Sequence, residues 1–391
     1  ENVHLVEITA YSDDDAYTIF ETMNDRGLSL SPTDMLKGYL LANIDEDARV
    51  DVNSRWKARI RNLVDWDKEG DADFFKAWLR SQYATKIRER KKGAKQEDFD
   101  RIGTEYHRWL RDSRRQVGLE KPSDFLRFVN TDFDFYSKQY LRLLNASAKT
   151  TPGLEHVCYN ARNGFTQQYQ ILLAPLRPTD TTAEIDRKIR ITAKFLDILL
   201  TWRLWNFRSI AYSTMQYAMF LVMRDIRGLD SAALAKLLYE KLQAEEENFD
   251  ANSEYHRQGI GLYLHQQNRK VLHRILARMI DYIEVESGMA SRFEEYVGGG
   301  GVTYEVEHIW ADHFERHTDE FEHPADFAEH RNRIGGLLLL PKSFNASYGD
   351  KPYVDKLGHY FSQNLLAKSL NPNCYKHNPG FVRFVGEREL P

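Results

Sequence analysis

GGGGVTYEVEHIW, residues 298–310, is where the character of the chain changes. Four consecutive glycines cannot continue a helix without a large loss of backbone entropy, so they open a new unit. After them Val302, Tyr304 and Val306 alternate with Thr303, Glu305 and Glu307, the period-two pattern of a half-buried strand built from β-forming residues. A second strand candidate, Leu337 to Leu340, lies in IGGLLLLPKSFN (334–345), and a helix is expected from about Lys342 or from Pro352 onward. Strand, strand and helix in that order form a ββα arrangement.

Upstream the pattern is different. From Asp51 to Glu286 the periodicity is helical almost throughout. Thr181 and Glu184 form a capping box ahead of Ile185, Ile189, Phe195, Leu196, Leu199 and Leu200, which recur at steps of three and four. Asp230 can cap a segment carrying Leu234, Leu237, Leu238 and Leu242, and Leu272, Ile275, Leu276, Met279, Ile280 and Ile283 mark a further buried stripe. Nearer the start, Ser31 and Pro32 have the pattern of an N-cap followed by Pro at the first helical position, with Met35, Leu36, Tyr39 and Leu40 on one face. Val3–Ile8 reads as a short strand and Asp13–Asp15 as the cap of a helix. The expected class is therefore mainly α, a helical middle domain with a small C-terminal ββα element.

The 391 residues carry 54 Lys plus Arg against 58 Asp plus Glu, a net charge of −4, so any phosphate-binding surface must be local. No apolar run is long enough to span a membrane and the N-terminus has no signal-peptide pattern. Two distant cysteines, Cys158 and Cys374, form no disulfide framework. These features point to the cytoplasm. Glu1 stands where a start methionine would, and the strand and helix signals begin at once, so the chain is expected to begin inside a larger protein.

The chemistry concentrates at Glu307 and His308. A histidine at a strand end can act as general base for water, because neutral imidazole accepts a proton near pH 7. A carboxylate with an amide oxygen, Glu307 with Asn345, is a hard donor set suited to Mg²⁺. Adjacent strand residues point to opposite faces, so Glu307 and His308 share a site only if the strand ends or bends there. Arg331, Arg333, Lys342, Lys351 and Lys356 outnumber Asp350 and Asp355 around this point, a balance that suits a polyanion. His313 and His317 have the spacing of a zinc pair, but no third ligand is signalled, and a solvated polar loop is the better reading. The basic run Lys86–Lys95 reads first as a solvated loop.

Glu307-His308-Ile309, the segment 334–345 and Lys356 together resemble the C-terminal HNH nuclease domain of modification-dependent restriction proteins of the GmrSD type, including the phosphorothioate-sensing SspE proteins. FETMNDRGLSLSPTDMLKGYL, residues 20–40, is similar to the end of the ParB-like nucleotide-hydrolysing domain that precedes it in that family. The resemblance implies three units: 1–50, the tail of a ParB-like domain; 51–286, helical; and 287–391, an HNH (ββα-metal) nuclease. It implies His308 as base, Glu307 and Asn345 beside Mg²⁺ or Mn²⁺, and Lys356 as a phosphate or structural contact; with the local charge balance, Arg331, Arg333, Lys342 and Lys356 are the expected DNA contacts. The implied partners are DNA, including modified phage DNA, and an upstream NTPase domain of the same protein, with no membrane. Gly336 stands where the family has Asn, leaving open whether Asn332 substitutes; on this reading an Asn restored at 336 leaves activity equal or higher. The nucleotide-binding DGQQR-type motif does not occur in these residues, so no GTP or ATP hydrolysis is expected of them. The rival expectation is a catalytically decayed module that binds a partner or modified DNA, and an RNA-directed nuclease would use the same residues.

Overall fold

The computed structural model describes residues 30–249, 262–299 and 301–390. With 66% helix and 3% strand it is mainly α. The strand and helix expected over residues 3–23, and the first part of the 20–40 segment, lie outside the described residues.

The first described helix, α1 (Pro32–Ala42), starts as its sequence dictates. Ser31 Oγ accepts the amide of Asp34 at 3.1 Å and Pro32 occupies the first turn. Its stripe of Met35, Leu36, Tyr39 and Leu40 is buried. Leu36 and Leu40 join one large core with α2 (Glu46–Trp66) and α3 (Gly70–Tyr83), in which Trp56 and Phe75 both stack on Phe133, at 4.6 and 5.8 Å between ring centroids. The same core continues through Ile189, Leu196 and Leu200 of α4 (Thr182–Trp205) and through Leu234 and Leu238 of α5 (Ser231–Gln243).

The caps at 181 and 230 form, with one difference. Thr181 accepts the amide of Glu184 at 3.3 Å, but the Glu184 carboxylate reaches across to Ser231, accepting its amide at 2.8 Å and its hydroxyl at 3.1 Å. A residue expected to close its own helix start instead ties α4 to the first turn of α5. Asp230 accepts the amides of Ala232 and Ala233.

Helix α6 (Arg269–Glu286) joins the helical body to the C-terminal element. Leu272, Leu276 and Ile280, one residue per turn along the i, i+4 line, bury against Tyr304, Val306, Leu337 and Leu339. Met279, expected in that stripe, is 40% exposed and lines an open cavity with Ile275 and Tyr282. Strand β1 (Tyr304–His308) pairs antiparallel with β2 (Leu337–Pro341), in register from Tyr304 opposite Pro341 to His308 opposite Leu337. The 28 residues between the strands include α7 (Pro324–Asn332). β2 is followed by α8 (Lys342–Tyr348) and α9 (Tyr353–Tyr360).

The second face of the sheet carries Leu338 and Leu340, which pack with Phe344 of α8 and Tyr360 of α9. The sheet is thus covered on both sides, and this explains why four leucines follow one another in β2 where a half-exposed strand would alternate. Truncating any one of these fully buried leucines to Ala would cost about 2–5 kcal/mol. No helix among the described residues is long and apolar enough to cross a membrane.

Candidate active site

Strand alternation separates Glu307 from His308. Glu307 opposes Leu338 and shares the α8/α9 face, whereas His308 opposes Leu337 on the other. The end of β1 is held by Lys356 of α9. Its ammonium donates to Glu307 Oε1 at 2.8 Å and to the His308 carbonyl at 3.1 Å, with the Ile309 carbonyl at 3.5 Å. The Lys356 side chain is fully buried and that of Glu307 is 7% exposed. An ion pair withdrawn from water in this way is tolerated only because each partner has the other, and the carbonyl bonds satisfy the remaining protons. Of the two roles expected for Lys356, phosphate contact or structural contact, its surroundings favour the second: with its ammonium buried and its protons spent on β1, it positions the strand end.

The imidazole of His308 is oriented from the insertion. Nε2 lies 2.9 Å from Oδ1 of Asn332, the last residue of α7. An amide oxygen only accepts, so Nε2 carries the proton and Nδ1 the lone pair. Burial drives the His308 pKa down to about 4; the bond to Asn332 and the Asp312 carboxylate oppose that shift, while Arg331 and Lys356 add to it. At neutral pH the ring is uncharged and able to take a proton, though a group with so low a pKa is a weak base until an anion approaches.

Asn332, left open as a substitute for the Asn missing at 336, thus bonds His308 directly. Gly336 acts through its backbone instead, since its carbonyl accepts the amide of Ile309 at 2.9 Å and extends the strand pairing past His308. A Cβ at 336 would sit 2.8 Å from the Arg331 carbonyl oxygen, closer than real contacts allow. Backbone crowding therefore weighs against the expectation that an Asn at 336 leaves activity equal or higher.

On the opposite face the two expected metal-proximal residues approach the C-terminal turn of α8. The Asn345 side-chain oxygen is buried without a hydrogen-bond partner, and Glu307 Oε2 lies 3.8 Å from where a Cβ of Gly349 would be. Gly349 donates its amide to the Asn345 carbonyl at 3.0 Å, one turn further on. An orphaned amide oxygen and a carboxylate oxygen left over from the Lys356 pair are donors of the type Mg²⁺ or Mn²⁺ takes, and such ions need only one or two from the protein. By donor chemistry the pair suits a divalent cation, and the Lys356 ammonium on Glu307 Oε1 opposes one. No group of three or more His, Cys, Asp and Glu arranged for a metal occurs among the described residues.

Arg331 and Arg333 line a cleft of about 330 Å³ with Ile309, Trp310, His330, Gly335 and Gly336. Arg331 donates Nε to the Trp310 carbonyl at 2.9 Å, and burial pulls its pKa below the usual arginine range. Arg333 pairs with Glu329 at 3.3 Å. Lys342 is on the surface, 69% exposed, with Glu305 at 3.7 Å. In the insertion, His317 stacks on Trp310 at 4.7 Å and on Phe327 at 5.0 Å, and His313 bonds Glu315 and Asp350. These contacts fold the insertion onto the loop after β1, which places Asn332 at His308. Neither the Lys356–Glu307 pair nor the Trp310–His317–Phe327 stack was anticipated from the sequence; the one available signal was the aromatic and histidine density of residues 310–330.

Residues 226–378 match the family model described as GmrSD restriction endonucleases, C-terminal domain. This segment is similar to a restriction endonuclease domain and contains both strands, α6 through α9 and every site residue named above. No curated protein and no solved structure matches the chain.

Proposed function

We propose that the chain is the nuclease-bearing part of a modification-dependent restriction or phage-defence protein, an HNH endonuclease that hydrolyses DNA phosphodiesters. The observation that carries this reading is the His308–Asn332 bond at the end of β1, inside the segment similar to a restriction endonuclease domain. Asn332 keeps the proton on Nε2, and His308 Nδ1 takes the proton of a water whose oxygen attacks phosphorus. The P–O bond to the leaving oxygen then breaks. Proton removal by a positioned base contributes about 10²- to 10⁴-fold in rate. The imidazolium that forms is opposed by Arg331 and by burial, so an anionic phosphate beside it is needed to raise the basicity of the ring. Glu307 and Asn345 would hold Mg²⁺ or Mn²⁺, which would supply Lewis-acid stabilisation of charge on the phosphate and leaving oxygen; because they lie across the strand from His308, both would reach one phosphate only where it passes the end of β1. Arg331 and Arg333 in the cleft, and Lys342 on the surface, bind the phosphate backbone.

One such site cuts one strand, so nicking is the expected product. Modified phage DNA as substrate, the cytoplasm as location and a ParB-like NTPase domain ahead of residue 50 complete the reading. The test is conversion of supercoiled plasmid to open circles in Mg²⁺ or Mn²⁺ by wild type and His308→Ala, with thermal melts as folding control. The second reading, a decayed module that binds DNA or a partner without cutting, is favoured by one observation: Lys356 occupies one oxygen of Glu307. A well-folded wild type inert on modified and unmodified DNA in both metals would select it.

A further inference from the structure

Helix α6 opens RKVLHR, residues 269–274, with the apolar pair Val271 and Leu272 separating two basic pairs. Leu272 turns into the core against the sheet, which leaves Arg269, Lys270, His273 and Arg274 along one wall of a groove of about 570 Å³. Val297, Tyr304 and Val306 are apolar lining, Glu305 is the one carboxylate in the lining, and Arg162 stands at the groove already paired with Glu294. Among the described residues Arg269 and Lys270 have no ion-pair partner. Arg274 is half-buried, donates to the neutral side-chain oxygen of Asn163 at 2.9 Å and meets no carboxylate. Taking a guanidinium out of water without a counter-charge is unfavourable, and burial accordingly lowers its pKa. Of the nearby acids, Glu294 is held by Arg162 at 2.7 Å and Glu305 faces Lys342 at 3.7 Å. His273 donates Nε2 to the Tyr304 carbonyl at 3.1 Å, fixing the helix to the outer edge of β1.

We infer that this groove is a second binding site for the phosphate backbone of a nucleic acid, formed by Arg269, Lys270 and Arg274 along the outer edge of β1. The choice of ligand rests on the nuclease reading. β1 itself links groove and site: Tyr304 lines the groove and His308 ends the same strand. Four strand residues span roughly 13 Å, about four nucleotide steps along one strand of B-form DNA. Arg269 and Lys270 also stand in the first turn of an 18-residue helix that has no side-chain cap, and the positive end of its dipole favours the same anion. The groove lies outside the Arg331–Arg333 cleft, so the substrate would be gripped on both sides of the scissile bond.

The test is fluorescence anisotropy of a labelled duplex oligonucleotide in EDTA, titrated at several salt concentrations, with plasmid nicking in Mn²⁺ run in parallel. Arg269→Gln with Lys270→Gln should lower the slope of log affinity against log salt by about 2, and Arg274→Gln by about 1. Affinity at about 0.15 M salt should fall roughly tenfold for the pair. The control is Arg55→Gln, Lys57→Gln and Arg61→Gln, exposed cations of α2, which change the net charge by more and should leave the slope unchanged. Thermal melts confirm folding for each variant. A wild type that binds and nicks while the groove variants bind like wild type overturns the groove and leaves the nuclease. A wild type that binds through the groove but never cuts overturns the nuclease and leaves the groove. No binding by wild type overturns both.

Discussion

Replacing Lys356 by Met separates the two roles that Glu307 can have, as the anchor of a buried pair and as a cation ligand. In the folded chain the Lys356 ammonium is fully buried, 2.8 Å from a carboxylate that is 7% exposed, and also bonds the His308 carbonyl. Met fills most of the volume but leaves the Glu307 charge without its partner, and removing one member of a buried pair costs about 3–5 kcal/mol. At about 2–4 °C per kcal/mol, the Tm should fall by about 6–20 °C. Glu307→Gln with Lys356→Met removes both charges, and this double variant should return to within about 1–2 kcal/mol of wild type. The assay is denaturant and thermal unfolding of wild type, both singles and the double. The same melts with added Mn²⁺ should raise the Tm of Lys356→Met more than that of wild type, because the freed carboxylate then binds the cation to the native state alone. A Lys356→Met variant within about 1 kcal/mol of wild type, or a double variant no better than the single, would show that the pair does not hold the strand end.

Four further outcomes follow from the same geometry. Because the His308 pKa lies at about 4 in the free protein, the acid limb of kcat/KM should fall at about pH 4, with the limb of kcat moved upward by the bound phosphate, and a kcat/KM limb near 6.5 would show that the ring is not held as described. The same shift makes stability decline as pH drops from about 6.5 toward 4, since the unfolded chain then binds a proton that the native state refuses; His308→Ala should flatten that dependence in melts run across the range. Gly336→Asn should destabilise by about 1–3 kcal/mol, read as a lower unfolding midpoint, because the added Cβ meets the Arg331 carbonyl. Asn345→Ala should raise the Mn²⁺ concentration giving half-maximal nicking and be partly rescued by excess metal, whereas His308→Ala should not.

Much of this arrangement was legible in the sequence, because it depends on local patterns. The alternation in residues 302–308, the stop at Pro341 and the N-caps at Ser31, Thr181 and Asp230 act within a few residues of themselves. The partners of the site residues are long-range. Lys356 reaches Glu307 across 49 positions, and only the strand register together with the docking of α9 brings them into contact. Asn332 meets His308 because the insertion folds back through the Trp310, His317 and Phe327 stack, which no spacing rule encodes. Gly336 shows the limit of reading by residue pattern: a Cβ there would meet the Arg331 carbonyl oxygen, and the amide that bonds His308 stands four residues upstream. Glu184 makes the same point in the helical body, satisfying a neighbouring helix where its own was expected.

Whether His308 is the base is decided by plasmid nicking with wild type, His308→Ala and Asn332→Ala in Mg²⁺ and Mn²⁺, with folding checked by melts. Loss of the base should abolish nicking, a fall of about 10²- to 10⁴-fold at unchanged DNA affinity. Loss of the orienting amide should leave a weaker enzyme, reduced about 10- to 100-fold. Full activity in a folded His308→Ala variant would rule the histidine out as the base.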